Sequence, residues 1–294
     1  MGIEKPIIFI GVGRAGTTII SEIIFQHEDI AVISPFQVKF PNSPAINRLR
    51  PLLENKFWRI NGQKKQLNKV SLWNKYTFKP MEGYPFWEKL VGNEIDFSRD
   101  FLINQTASKE RKEYIRNFFE KLVKYQKRKR LGFKITGPSR IEYLNSIFPD
   151  AIFIEVVREP LANIRSLLKV DFWQGKGTKQ LWWKGAYTDD ELKEIEKLTD
   201  FPELITAVQY KKVREITNSE IQKFEVSHLQ VSYDDFVANP KKEIDRIISF
   251  ANLKPSKAIN SYLKNNKIHD RNTDINNFFN SEQLLKIREI LKNI

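Results

Sequence analysis

The stretch Pro6-Ile-Ile-Phe-Ile-Gly-Val-Gly-Arg-Ala-Gly-Thr-Thr18 decides how this chain is read. A short apolar run, Ile7 to Ile10, ends in a loop with glycines at 11, 13 and 16. Ile19, Ile20, Ile23 and Ile24 then recur at helical spacing. The pattern predicts a strand over Ile7 to Val12, a glycine-rich turn, and a helix from about Gly16 to His27. Backbone N–H groups converge in such a turn, and the helix dipole favours negative charge, so it is built for phosphate. Its frame fits the nucleoside-triphosphatase loop G-x-x-x-x-G-K-[ST], except that Thr17 stands where the lysine belongs. That lysine bridges two terminal phosphates, so its loss argues against ATP or GTP hydrolysis. A cation appears inside the loop instead, at Arg14. Glu155 lies within the apolar run AIFIEVV rather than at its end, so no Walker-type acid is evident and magnesium is not implied.

The rest of the composition narrows the setting. The chain has 294 residues, 41% of them hydrophobic, enough for a sizeable core. Lys and Arg number 49 against 36 Asp and Glu, a net charge of +13 that favours anionic partners. With no cysteine, disulfides and thiol chemistry are excluded, and three scattered histidines argue against zinc. No charged and apolar leader precedes the first strand, and no apolar run nears the ~20 residues of a membrane span. The expectation is a soluble, cytoplasmic protein without stable membrane insertion. The basic run 124–130 (KYQKRKR) reads as the solvated end of a helix rather than a nucleic-acid contact.

Strands alternate with helices along the chain. Strands are expected over 29–34, 131–136, 151–157 and 226–231. Helices are expected over 108–127, 139–148, 160–169, 189–198, 202–224, 241–253 and 281–291, with a helical turn over 234–239. In the helix over 108–127, Tyr114, Ile115, Phe118, Phe119, Leu122 and Val123 share one face. Prolines interrupt 35–76, which reads as irregular, and 78–87 (FKPMEGYPFW) reads as an ordered loop. The class is α/β: a single domain over 1–294 with a central, mainly parallel sheet flanked by helices.

The strand AIFIEVV is followed by Arg158, with Ser166 eight residues on in the next helix. A guanidinium and a hydroxyl at the C-terminal end of a parallel strand suit a phosphate monoester. Here the chain resembles the sulfotransferases that use 3′-phosphoadenosine 5′-phosphosulfate. GVGRAGTT is similar to the family's loop for the 5′-phosphosulfate, and Arg158 with Ser166 to its 3′-phosphate site. LGFKITGPSRIEYLNSIFPDAIFIEVVREP and VSYDDFVANP resemble further stretches, so the likeness covers most of 5–34, 131–170 and 226–253. Arg in the first loop is closer to the tyrosylprotein and bacterial carbohydrate type than to the cytosolic small-molecule type.

The resemblance implies a P-loop-like sulfotransferase fold and these roles. Arg14 neutralises the leaving phosphate, and Lys134 faces the transferring sulfonate. Gly13, Ala15, Gly16, Thr17 and Thr18 cradle the 5′-phosphate. Arg158 and Ser166 take the 3′-phosphate, with Arg271 and Asn272 from a loop before the last helix. The family's aromatic residue after that pair is met here only by Phe278 or Phe279. The donor is 3′-phosphoadenosine 5′-phosphosulfate, with no metal. The base is the open position: Glu82 is the candidate, Asp171 the alternative, and either could simply be solvated. Trp73, Trp87, Trp173, Trp182 and Trp183 fall in irregular segments and suit packing more than acceptor stacking. A carbohydrate or glycolipid hydroxyl is the favoured acceptor, by analogy of fold. A small-metabolite kinase, a basic nucleotide- or glycan-binding protein without activity, and a donor-binding protein that has lost catalysis remain alternatives.

Overall fold

The computed structural model describes residues 2–54, 78–272, 278–292 and 294. Five parallel strands form one sheet: β1 (Ile7–Ile10), β2 (Ile30–Val32), β3 (Arg130–Lys134), β4 (Ile152–Val157) and β5 (Ser227–Ser232), in the order β2-β3-β1-β4-β5. The glycine-loop strand is therefore central. Ile7 pairs with Gly132 on one side and Ile152 on the other. Side chains of a strand alternate between faces, and both faces of a parallel sheet are covered. Ile8 and Ile10 enter one core with Trp87, Phe119 and Phe133, while Ile7 and Phe9 enter the opposite core with Ile20, Ile244 and Ile247. A third cluster, with Trp173, Trp183 and Tyr210, closes the C-terminal end of the sheet.

The helices needed below are α1 (Thr17–Ile24), α2 (Pro35–Lys39), α3 (Arg50–Leu53), α4 (Tyr84–Val91), α5 (Lys109–Tyr125), α6 (Ile141–Ile147), α7 (Pro160–Leu168), α8 (Asp171–Gly175), α9 (Asp189–Glu196) and α10 (Pro202–Phe224). After β5 come α11 (Tyr233–Ala238), α12 (Pro240–Phe250), α13 (Lys257–Asn265) and α14 (Ser281–Ile290). In α5 the Ser108 hydroxyl accepts from Arg111 N, a helix cap, and Ile115, Phe118, Phe119, Leu122 and Val123 are buried as expected. Tyr114 is not: it stands at the edge of that face, 45% exposed.

Several segments differ from expectation. Residues 84–91 are helical rather than a loop, because Gly83 takes a left-handed turn and Pro85 sits in the first helical turn, where its missing N–H costs nothing. Trp87 and Phe86 on that helix are completely buried, and Trp87 stacks on Phe97 with ring centroids 5.0 Å apart. Within 35–54, prolines start short helices (α2, a 3-10 turn over Pro44–Leu49, and α3) instead of only breaking structure. The remainder of that stretch, with Trp73, lies outside the described residues. α13 was not expected at all. The basic run is tied down: Arg128 pairs with Glu54 at 2.6 Å, Lys129 with Asp29 at 2.8 Å, and Arg130 donates to Lys5 O and Ala251 O. Among the described residues no helix is long and apolar enough to cross a membrane.

Candidate active site

The chain leaves β1 and crosses to β2 and β3 on one side, then to β4 and β5 on the other. The crevice at the C-terminal ends of the strands around β1 is where an open parallel sheet binds ligands. Three elements deliver side chains there: the loop after β1, the end of β3 at Lys134, and Arg158 directly after β4.

The loop's glycines are required by geometry. A Cβ on Gly11 would lie 2.4 Å from Val156 O, and one on Gly16, at φ +97°, would lie 2.3 Å from the Tyr233 ring. Arg14 also takes a left-handed conformation, φ 72°. The Ala15 N–H, expected in the phosphate cradle, instead donates to Val12 O at 3.1 Å, and Ala15 itself is buried. Of the loop residues expected to cradle phosphate, Gly16, Thr17 and Thr18 line the crevice at the start of α1. The Thr17 hydroxyl is buried with no hydrogen-bond partner. A buried hydroxyl left unpaired is costly.

Two chambers meet at this loop. The first is lined by Gly16, Thr17, Thr18, Arg158, Arg165, Ser166, Lys169 and Arg271, among others, and no carboxylate among the described residues lines it. The second, of about 520 Å³, has Glu82, Lys134 and Ser98 as polar groups, and walls of Leu167, Val170, Phe172, Trp173, Trp182 and Trp183. Arg14, Thr18 and Thr136 line both, so Arg14 stands on their border.

In the first chamber Arg14 Nε donates to Ser166 Oγ at 3.2 Å, and Arg158 Nη1 donates to Arg14 O at 3.0 Å. Arg158 is fixed from outside: Nε donates to Asn272 Oδ1 and Nη2 to Arg271 O, both at 2.7 Å, and its guanidinium lies over the Tyr233 ring. Asn272 in turn donates to Asp234. Asn272 therefore holds Arg158 and does not line the chamber, whereas Arg271 does. Burial, then the Arg271 charge, lowers the Arg14 pKa from the ordinary arginine value. Of the two C-terminal aromatics, Phe279 is buried, and Phe278 lies under the ammonium of Lys169.

In the second chamber Lys134 Nζ donates to Thr18 Oγ1 at 2.7 Å and lies 3.3 Å from Glu82 Oε1. The same Glu82 oxygen accepts from Thr136 Oγ1 at 2.9 Å. Tyr84 clamps this pair: its hydroxyl donates to Thr136 O at 2.5 Å and accepts from Thr136 N at 3.1 Å. Burial of that hydroxyl, followed by the Glu82 charge, pushes the Tyr84 pKa up to about 12. Asp171 does not join them. It is exposed at the start of α8 and lines neither chamber, while its neighbours Phe172 and Trp173 turn into the second. Trp173 and Trp183 are buried and pack against each other, and Trp182 stays partly open at the chamber.

Glu155 is in register with Ile10 beside the glycine loop, but its carboxylate is paired with Arg214 of α10 and His228 of β5 and lines neither chamber. Among the described residues no cluster of His, Asp or Glu could hold a metal ion.

A phosphate-loop strand at the sheet centre, an arginine after β4 and a lysine ending β3 now stand together, and the sequence comparison agrees with them. A sequence model of the sulfotransferase family matches residues 6–256. The chain belongs to the sulfotransferase family. Two solved structures share its fold. Sulfotransferase STF9 from Mycobacterium avium superposes with a TM-score of 0.59 at 16% identity, covering 100% of this chain and 78% of that one. Sulfotransferase STF1 from Mycobacterium tuberculosis H37Rv gives 0.51 at 13% identity, covering 99% and 77%. A comparison with curated proteins returned no match. Sulfuryl transfer is thus the reaction class of this sulfotransferase. Of its site residues, Thr136, Tyr84, Arg165 and Lys169 were not singled out from the sequence. Thr136 lies two residues from Lys134 in the same strand-end motif, which is the one signal that could have found it.

Proposed function

We propose that the protein transfers a sulfuryl group from 3′-phosphoadenosine 5′-phosphosulfate to a hydroxyl of a carbohydrate or glycolipid by in-line displacement. The observation that carries this reading is the border position of Arg14, between a carboxylate-free cationic chamber and an aromatic-walled one holding a carboxylate. The donor, when bound, supplies an activated sulfuryl group on a phosphate leaving group.

The chain's residues divide the work as follows. Gly16 N–H and the Thr17 and Thr18 hydroxyls hold the 5′-phosphate at the start of α1, where the unpaired Thr17 Oγ1 fits a phosphate oxygen. Arg158, Ser166 and Arg271 hold the 3′-phosphate, and Asn272 orients Arg158. Arg14 places a fixed positive charge where the leaving phosphate gains charge, and Lys134 does the same for the transferring group. Preorganised charge of this kind supplies most of the rate in group transfer between oxygens. Glu82 takes the acceptor proton. Its Oε1 is occupied by Thr136 and Lys134, which leaves Oε2 for the acceptor hydroxyl. The second chamber falls within the range of about 300–1,000 Å³ for small-ligand sites, and its aromatic walls suit the apolar faces of sugar rings.

The test is transfer from 3′-phosphoadenosine 5′-phosphosulfate across a panel of saccharides, glycolipids and phenols. Glu82→Gln should lower kcat by about 10²–10⁴-fold and leave nucleotide affinity unchanged. An unaltered kcat removes Glu82 as the base, and transfer confined to phenols removes the carbohydrate assignment.

A further inference from the structure

α7 buries Leu161, Ala162, Asn163, Ile164, Arg165 and Leu167. The arginine is the anomaly. It is 9% exposed, yet its guanidinium makes no hydrogen bond and meets no carboxylate among the described residues, and its Nη1 is buried without a partner. Arg50 donates to Ile30 O, Gln126 and Glu54, and Arg158 donates to Asn272, Arg14 O and Arg271 O. Arg140, fully buried, also leaves Nε and Nη2 without partners, but it donates to Pro138 O and lies over the Phe97 ring, so each other described buried arginine keeps at least one hydrogen bond. Burying an unpaired charge is expensive, and placing it near another arginine is more so. Burial first, then the charges of Arg14 and Arg165, lower the Arg158 pKa from its ordinary value, so Arg165 stands within electrostatic reach of Arg158. Arg165 also precedes Ser166 and lines the carboxylate-free chamber.

We propose that Arg165 is a further binding residue of that chamber, a second guanidinium on the 3′-phosphate beside Arg158, and that it selects nucleotides phosphorylated at both ends over 5′-monophosphates. The inference rests on the donor assigned above. Without ligand, Arg165 destabilises the fold, and the incoming phosphate supplies its missing acceptor.

Calorimetric titration of the full chain with adenosine 3′,5′-bisphosphate and with adenosine 5′-monophosphate tests this, using wild type, Arg165→Met and Arg165→Gln. In both variants the dissociation constant for the bisphosphate should rise about 10–100-fold, the worth of one or two hydrogen bonds to a charged group, while that for the monophosphate stays within about twofold. Arg165→Met should also melt at a higher temperature than wild type when ligand-free, because an uncompensated buried charge has been removed. Equal losses for the two nucleotides, or unchanged affinity for both, overturn the inference, as does a lower ligand-free melting temperature with bisphosphate affinity intact. Wild type that binds neither nucleotide overturns the donor assignment and this inference with it. Wild type that binds the bisphosphate while the variants match it overturns this inference alone.

Discussion

Arg14 is the residue at which the two chambers meet, and the proposed reaction puts it beside the leaving phosphate. It lines both chambers, its Nε reaches Ser166, and its carbonyl is held by Arg158. Arg14→Ala should therefore lower kcat/KM by about 10²–10³-fold, the usual effect of removing a preorganised charge or donor at a reacting centre. Arg14→Lys should recover part of that, because a point charge replaces the charge but not the fork. Steady-state kinetics with both variants checks the pair. At this scale the sequence was legible where a residue belongs to a motif with a mechanism: Arg14, Thr18, Lys134, Arg158 and Ser166 all reach the crevice. It was not legible where three-dimensional burial makes the difference. Arg165 looks like any helical arginine until the packing of α7 leaves it without a partner. Glu82 and Asp171 looked alike as loop carboxylates, and only the clamp by Thr136 and Lys134 separates them.

Among the elements, α4 shows why a proline–glycine reading failed. The proline-rich stretch 78–87 reads as a loop in sequence, but a left-handed glycine before the first turn and a proline inside it are compatible with a helix start. That start carries Tyr84, whose hydroxyl ties the Glu82 segment to Thr136, two residues beyond β3. Tyr84→Phe should cost about 1–2 kcal/mol of stability by leaving Thr136 N and O unpaired, measured by chemical denaturation. Its kcat should fall more than donor affinity, because Thr136, which the hydroxyl holds, bonds Glu82, while Tyr84 itself lines only the second chamber. The turn from β3 into α6 has a similar anchor. Glu220 of α10 is buried and accepts from Ser139 Oγ at 2.6 Å, Ile141 N at 3.1 Å and Glu142 N at 3.0 Å. Glu220→Gln puts a donor where one of those acceptors stood, so a loss of about 1–3 kcal/mol is expected in the same measurement. The strand–helix alternation was legible because apolar runs and amphipathic periodicity are local. The anchors were not, since Glu220 and Ser139 are 81 residues apart.

Across the whole molecule, the α/β class and the parallel sheet follow from the alternation of elements, and the site follows from β1 being central, with crossovers to both sides. The core also makes a pH prediction. Burial pushes Tyr84, Tyr143 and Tyr262 up to about 12, and raises Tyr187, Tyr210 and Tyr233 as well. A raised folded-state pKa favours the protonated phenol in the fold. The stability these groups contribute is complete below the ordinary tyrosine value near 10 and is lost as pH rises through the folded-state values. Phenolate absorbance should therefore lag at pH 10–11 and appear together with unfolding above that range. A simple titration of all nine tyrosines near pH 10 would contradict the burial described. Arg14, Arg158, Arg165, Lys169 and Arg271 line a chamber that no carboxylate among the described residues enters, and its ligand is the central claim. A thermal-shift titration tests that claim most directly, comparing adenosine 3′,5′-bisphosphate without magnesium against ATP with magnesium. The bisphosphate should raise the melting temperature in a concentration-dependent way while ATP with magnesium has little effect. Stabilisation by ATP with magnesium alone would contradict the account.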